Sequence, residues 1–136
     1  MTYTASKFDS IPIPVQPAVL SVYVPNTAAE TNISVYIPWR NCRLAYAYAV
    51  NVTAIDNTGT SKIDIELNAI AGGDMMTIAL AQNGPVGTVT EATVVTQANC
   101  ENLSREDTGR DAVNIEIDGS STGTGAVMLY MYFESN

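Results

Sequence analysis

From Ala18 onward the chain alternates apolar and polar residues with the period of two that is typical of β-strands. In the stretch from Lys62 to Leu67, the isoleucines and the leucine share one face and the charged residues share the other. The stretch from Val113 to Asp118 repeats this pattern. Such alternation indicates strands that bury one face and leave the other in water.

Proline, glycine and asparagine separate eight strand-like segments. They cover residues 19–24, 32–37, 44–55, 62–70, 76–81, 92–97, 113–117 and 126–133. Short strands with turn signals at regular spacing predict an all-β, single-domain antiparallel sandwich that is jelly-roll-like, with about eight strands. Residues 100–107 are polar and have no apolar stripe, so we expect a loop there with at most one helical turn.

Two segments, 44–55 and 126–133, are apolar on both faces. In the first segment, alternation places Leu44, Tyr46, Tyr48, Val50 and Val52 on one face, opposite Ala45, Ala47, Ala49 and Ile55. In the second, Met128, Tyr130 and Tyr132 oppose Val127, Leu129, Met131 and Phe133. A sandwich strand has only one inward face, so a loop, the N-terminal segment or another subunit must cover the second. The tyrosines favour another subunit as the cover, because a tyrosine ring is readily buried at an interface while its hydroxyl finds a hydrogen-bond partner.

Residues 1–17 show no periodicity and end in Ile11-Pro12-Ile13-Pro14-Val15-Gln16-Pro17. These prolines exclude a helix and remove hydrogen-bond donors, which predicts an extended arm over 1–17 before a sandwich domain over 18–136. The apolar residues between the prolines indicate that the arm packs on something. Two interpretations stay open: the arm lies on its own domain, or it reaches a neighbouring subunit.

Composition excludes several chemistries. The 136 residues include no histidine, which rules out histidine-based triads, two-histidine zinc sites and imidazole proton shuttles. Six basic against 14 acidic residues give a net charge of −8, so nucleic acid is not an expected partner. We find neither a secretory signal nor an apolar run long enough to span a bilayer, so we expect synthesis in a host cytoplasm and no membrane partner. Cys42 and Cys100 are expected to be reduced thiols.

The sequence contains pairs of carboxylates, Asp64 with Glu66 and Glu116 with Asp118, on strand faces. Such pairs hydrolyse glycosides only across a cleft, and they bind calcium only with further oxygen ligands. The candidates for those further ligands are Asp74, Asp56 and Asn57. No loop motif supports either chemistry, so we interpret the pairs as charged strand faces exposed to solvent.

The glycine-rich stretch from Gly119 to Gly125 lacks the lysine of a phosphate-binding loop and precedes a strand, which indicates a hairpin loop. We therefore predict no catalytic residue, no metal and no cofactor.

Aromatic and arginine residues are the remaining candidates. Trp39 with Tyr46 and Tyr48 is interpreted as core or interface packing, with a sugar-stacking platform as the alternative. With so few basic residues in the chain, arginines are natural anchors for the carboxylates of a partner. These arginines are Arg40, Arg43, Arg105 and Arg110.

The run from Val35 to Leu67 contains a tyrosine-bearing strand, the motif Thr53-Ala54-Ile55-Asp56 and a second, amphipathic strand. This run, and the glycine-rich loop that feeds a terminal apolar strand, resemble small virion proteins of tailed bacteriophages, the capsid decoration or cement proteins. The resemblance covers about residues 35–133. It implies a β-sandwich that forms a homotrimer, binds the major capsid protein on the outer capsid surface and stabilises the shell. It also implies a shell-contacting extension, which would correspond to residues 2–17.

We therefore predict a non-enzymatic virion structural protein. Its contacts with the capsid or with other subunits are predicted at Ile11, Ile13, Val15, Trp39, Arg40, Arg43, Tyr46, Tyr48, Tyr130 and Tyr132. One alternative is a carbohydrate- or receptor-binding module of a phage fibre or spike. A small hydrolase that uses carboxylates is the other.

Overall fold

A computed structural model describes residues 18–26, 31–37, 41–57, 61–68, 72–104, 111–118 and 123–135. The predicted arm, Trp39 and Arg40 lie outside these residues, as do Arg105 and Arg110. The elements are β1 (Ala18–Pro25), β2 (Thr31–Tyr36), β3 (Asn41–Asn57), β4 (Ser61–Leu67), β5 (Asp74–Leu80), β6 (Val89–Glu91), β7 (Thr93–Val94), α1 (Gln97–Cys100), β8 (Leu103–Ser104), β9 (Ala112–Asp118) and β10 (Gly123–Ser135).

The strands form two antiparallel sheets. In the β1 sheet the order is β1-β10-β3-β6, with β8 also paired to β3, and in the β2 sheet it is β2-β9-β4-β5-β7. The pairs β4–β5, β3–β6, β2–β9 and β1–β10 nest within one another, so the chain is one folded ribbon wound across both sheets. This nesting is the jelly-roll order and confirms the predicted all-β sandwich.

The core lies between the inward faces of the two sheets. Strand β9 contributes Val113, Ile115 and Ile117, and β4 contributes Ile63 and Ile65, all fully buried. Strand β10 adds Val127, Leu129, Met131 and Phe133, which are also fully buried. Each fully buried side chain of this size contributes roughly 1.5–3 kcal/mol, so alternation over three strands is enough to fix which face is inward.

The prediction of a single strand over 92–97 is wrong, because the chain changes sheets within this segment. The N–H of Ala92 still donates to the Ala47 carbonyl in the β1 sheet, whereas the N–H of Val95 donates to the Met75 carbonyl in the β2 sheet. Strands β6 and β7 are therefore short pieces on opposite sheets. The helical turn expected within 100–107 lies earlier, at Gln97–Cys100.

The predicted face for Leu44 is also wrong. In the β3–β10 register Tyr46 lies opposite Tyr132, and the next pair is Leu44 with Phe133, so Ala45 is the extra residue of a β-bulge. The bulge turns Leu44 into the core beside Ala47, while Ala45 and Tyr46 both lie outside.

Asn51 interrupts the apolar pattern of β3 for a structural reason. Its buried side-chain amide donates to the carbonyls of Gly84 and Pro85, both at 3.2 Å. A Cβ at Gly84 would lie 2.7 Å from this amide nitrogen, so a larger residue there would displace the Asn51 amide from its present position. Asn51 therefore fastens the loop between β5 and β6 onto β3.

Cys42 and Cys100 are both buried. Burial raises the pKa of the Cys100 thiol to about 11, and its Sγ lies 3.5 Å from the Met75 carbonyl oxygen. Thiolate is scarce at neutral pH with such a pKa, which argues against a nucleophilic role.

In the part of the chain that the structure describes, no helix has the length and apolar character needed to cross a membrane.

Candidate functional site

The candidate site is the outer face of the β1 sheet, which we call the tyrosine face. Antiparallel register arranges its side chains in three rows across the strands. The rows are Val19–Tyr132–Tyr46, then Ser21–Tyr130–Tyr48–Glu91, then Tyr23–Met128–Val50–Val89. Each row crosses β1, β10 and β3, and Glu91 and Val89 extend the last two onto β6, so residues distant in sequence form one continuous surface.

This surface is apolar and open to solvent in the single chain. Tyr23 is 55% exposed, Val89 58% and Val19 50%. Tyr48, Tyr130 and Tyr132 in the centre are partly buried by their neighbours on the sheet. Soluble monomers seldom expose a continuous apolar patch of this kind, and such patches mark interaction sites.

The tyrosine rings pack against one another. The centroids of Tyr48 and Tyr130 are 5.0 Å apart with an interplanar angle of 19°, and those of Tyr46 and Tyr48 are 5.6 Å apart at 38°. The Tyr46 hydroxyl donates to Glu91 Oε1 at 2.8 Å, and this hydrogen bond raises the pKa of Tyr46. The rings are thus held in place before any partner arrives, which lowers the entropic cost of binding.

Arg43 lies at one end of the tyrosine face, where β3 begins. Its Nε and Nη2 donate to Glu134 Oε2 at 3.0 and 2.6 Å, and this contact raises the pKa of Arg43. An exposed pair of this kind adds little stability. One carboxylate already occupies the guanidinium, so a partner carboxylate would have to share it with Glu134 or displace it.

The structure brings together five of the ten predicted contact residues. Tyr46, Tyr48, Tyr130 and Tyr132 share the tyrosine face, and Arg43 borders it. Ile11, Ile13, Val15, Trp39 and Arg40 lie outside the described residues, and the contact role of all ten stays a prediction.

Sequence reasoning missed Val19, Tyr23 and Val89, which are among the most exposed apolar residues of this face. The signal for Val19 and Tyr23 was present in β1. They occupy alternate positions outside Leu20, Val22 and Val24, so β1 is another strand with apolar residues on both faces.

The outer face of the β2 sheet, which we call the polar face, differs sharply from the tyrosine face. It carries Ser34, Lys62, Asp64, Glu66, Asp74, Thr77, Ala79, Asn114 and Glu116. Asp64 accepts a hydrogen bond from Thr77 Oγ1 at 2.9 Å and lies 3.2 Å from Lys62 Nζ. Asp64, Glu66 and Glu116 therefore lie on one sheet face, and Asp64 is held by Thr77 of the neighbouring strand and by Lys62 of its own. Among the described residues, no group of three or more acidic or cysteine side chains is arranged to hold a metal.

The sequence matches no known family model and no curated protein. Among solved structures, the chain is similar to one described as "Bacillus endospore appendages form a novel family of disulfide-linked pili", with a TM-score of 0.51 and 14% identity over 89% of this chain and 88% of that chain. A likeness to a Desmodium yellow mottle tymovirus structure has a TM-score of 0.35 and 11% identity, over 92% of this chain and 89% of that chain. The similarity to the Bacillus appendage protein indicates that the two chains share an overall fold.

Proposed function

We propose that this chain is a non-enzymatic structural protein that associates with copies of itself through the tyrosine face. From the sequence resemblance we further propose that the chain is a capsid decoration protein. It would bind the major capsid protein on the outer surface of a phage capsid as a homotrimer and stabilise the shell. The protein would therefore be found in the virion.

The observation that carries this proposal is the apolar outer face of the β1 sheet. Its rows contain Tyr46, Tyr48, Tyr130 and Tyr132, residues of the type enriched at protein interfaces. A second copy is the occupant that best fits this surface, because the face holds several tyrosines and few charges while the rest of the chain is acidic. Two acidic copies repel each other least where their surfaces carry the fewest charges, and the tyrosine face carries few.

Two alternatives receive less support from the described residues. A sugar platform needs open ring faces, but Tyr48 and Tyr130 cover each other through their stacking. A glycosidase needs two carboxylates across a cleft, but Asp64 and Glu116 are direct neighbours on adjacent strands of one sheet.

The similar Bacillus structure is of endospore appendages that form disulfide-linked pili. That description is in keeping with a structural role for this chain. The acidic net charge of −8 suits a protein bound outside a particle filled with DNA, since it disfavours contact with the nucleic acid.

The test is binding of the purified full chain to phage capsids that lack it. The proposal predicts saturable binding at a fixed ratio to the shell subunits and a capsid that withstands higher temperature. Deleting residues 1–17 tests the arm as the shell-contacting part. Absence of saturable binding would overturn the capsid role, and full binding by the truncated chain would overturn the arm's part in it.

A further inference from the structure

Strand β1 forms an edge of the β1 sheet, and among the described strands it pairs with β10 alone. The hydrogen-bond pattern shows which of its backbone groups face outward. The N–H of Asn26 donates to the Gly125 carbonyl, which continues the β1–β10 register by one pair. Because bonded pairs alternate along an antiparallel ladder, the even-numbered residues of β1 bond β10. The backbone groups of Val19, Ser21 and Tyr23 then point to the open edge.

The core is incomplete beside this edge. Leu20 and Val22 point inward but are only partly buried, whereas their partners on β10, Met131 and Leu129, are fully buried. Strand β2, the corresponding edge of the other sheet, has partly buried Ile33 and Val35 on its inward face. Among the described residues, no further strand lies on the β1–β2 side of the sandwich, where one more apolar strand would cover these four side chains.

The N-terminal arm contains an apolar segment, residues 11–15, that suits an added edge strand. In an extended chain the backbone groups of alternate residues point to opposite edges. Pro12 and Pro14 therefore lie on one edge, which cannot donate, and Ile11, Ile13 and Val15 present complete N–H and C=O groups on the other. Residues 11–15 can thus pair along one edge only and would end the sheet there.

We propose that residues 11–15 of one copy pair antiparallel with the open edge of β1 in a second copy, an inference that rests on the proposed self-association. Ile13 opposite Ser21 places Val15 opposite Val19 and Ile11 opposite Tyr23. All three arm residues then bond to outward-facing backbone groups, and their side chains enlarge the tyrosine face. Pro12 and Pro14 fall opposite Val22 and Leu20, where no donor is needed and where they cover the open core.

The same pairing within one chain conflicts with the strand itself. Val15 opposite Val19 would leave Gln16, Pro17 and Ala18 to form the turn, but Ala18 is already extended in β1 and paired with Phe133. A turn of Gln16 and Pro17 alone lacks the glycine, asparagine or aspartate that two-residue hairpins favour, and it would place Pro14 opposite Val19, where an N–H donor is required. A second copy is therefore the donor that fits this register.

A disulfide cross-link between singly substituted chains tests the proposal. Copies with Ile13→Cys are mixed with copies carrying Ser21→Cys under mild oxidation. Paired residues at about 5.5 Å between Cα atoms are within reach of a disulfide. We expect a disulfide-linked heterodimer from this mixture and none when Ala79→Cys, an exposed position on β5, replaces Ser21→Cys. The buried native cysteines stay in place in all chains.

A failure of cross-linking for all three predicted pairs, Ile13 with Ser21, Val15 with Val19 and Ile11 with Tyr23, would overturn the proposal. So would a disulfide that forms only inside a chain carrying both substitutions. A second variant, Ile13→Pro, places a proline where the ladder needs a donor, and we expect it to weaken self-association at least about tenfold. The matched variant Ile13→Val keeps the donor and should associate like the unmodified chain. Unchanged association of Ile13→Pro would refute the edge pairing and leave the tyrosine face as the interface, so the two proposals fail separately.

Discussion

The two outer faces of this sandwich are built on similar strands and differ in what they show to water. Strand β4 places Lys62, Asp64 and Glu66 outside its buried isoleucines. Strand β3 places Tyr46, Tyr48 and Val50 outside its buried alanines. On the polar face, Asp64 contacts Lys62 along β4 and accepts a hydrogen bond from Thr77 on the neighbouring β5, whereas the tyrosine face leaves apolar area exposed. The difference teaches that the inward face of a strand reports the fold, and its outward face reports what the protein contacts.

The largest expected effect comes from a charge in the centre of the tyrosine face. We expect Tyr130→Glu to weaken self-association at least about 100-fold, because it removes the stacking with Tyr48 and buries a carboxylate in an apolar contact. Sedimentation velocity over a range of concentrations measures the effect.

Ala79→Glu is the matched control for this substitution. It adds the same charge to an exposed strand position on the polar face, directly opposite Lys62. We expect its association to stay within about twofold of the unmodified chain. Equal effects of the two substitutions would mean that net charge, and not the tyrosine face, governs assembly.

The free energy of unfolding should depend on pH through Cys100, which is buried in the core between the two sheets. The pKa of the folded thiol is raised to about 11, so the fold favours the protonated form. The contribution of this protonated thiol to the free energy of unfolding is complete below the unfolded pKa near 9. It falls by roughly 2 kcal/mol as the pH rises toward 11. Urea unfolding of the unmodified chain and of Cys100→Ala between pH 8 and 11 checks this. The same loss in both proteins would assign it to another group.

A smaller effect is expected on the polar face. Lys62→Met removes the contact with Asp64, and exposed pairs of this kind contribute less than about 1 kcal/mol to the free energy of unfolding. We expect chemical denaturation to show a change of that size and sedimentation to show unchanged assembly. A clear change in assembly would bring the polar face into the interface.

The smallest effect concerns the hydroxyl of Tyr46. The hydrogen bond to Glu91 raises the pKa of Tyr46, so Glu91→Gln should lower that pKa toward its ordinary value near 10. An NMR titration of the Tyr46 ring measures the shift. We expect Tyr46→Phe to alter self-association by no more than about threefold, since the ring and its packing remain. A pKa that does not respond to Glu91→Gln would contradict the hydrogen bond.

Alternation was enough to predict the sandwich and to place Tyr46 with Tyr48, and Tyr130 with Tyr132, on one face of their strands, because it depends only on neighbours in sequence. The bulge at Ala45 could not be predicted in the same way, since it exists only in the pairing of β3 with β10. The role of Asn51 depends on a loop more than thirty residues away, around Gly84 and Pro85. The change of sheet between Ala92 and Val95 likewise depends on contacts with Ala47 and Met75. Local patterns therefore predict strands and faces, and long-range contacts determine the irregularities that shape the site.

The most direct test is the mass of the unmodified full chain in solution, measured by sedimentation equilibrium from micromolar to millimolar concentration. An open tyrosine face predicts a defined multiple of the 14.5 kDa chain mass, with three copies expected from the decoration-protein resemblance. A mass of one chain at every concentration would contradict self-association through this face.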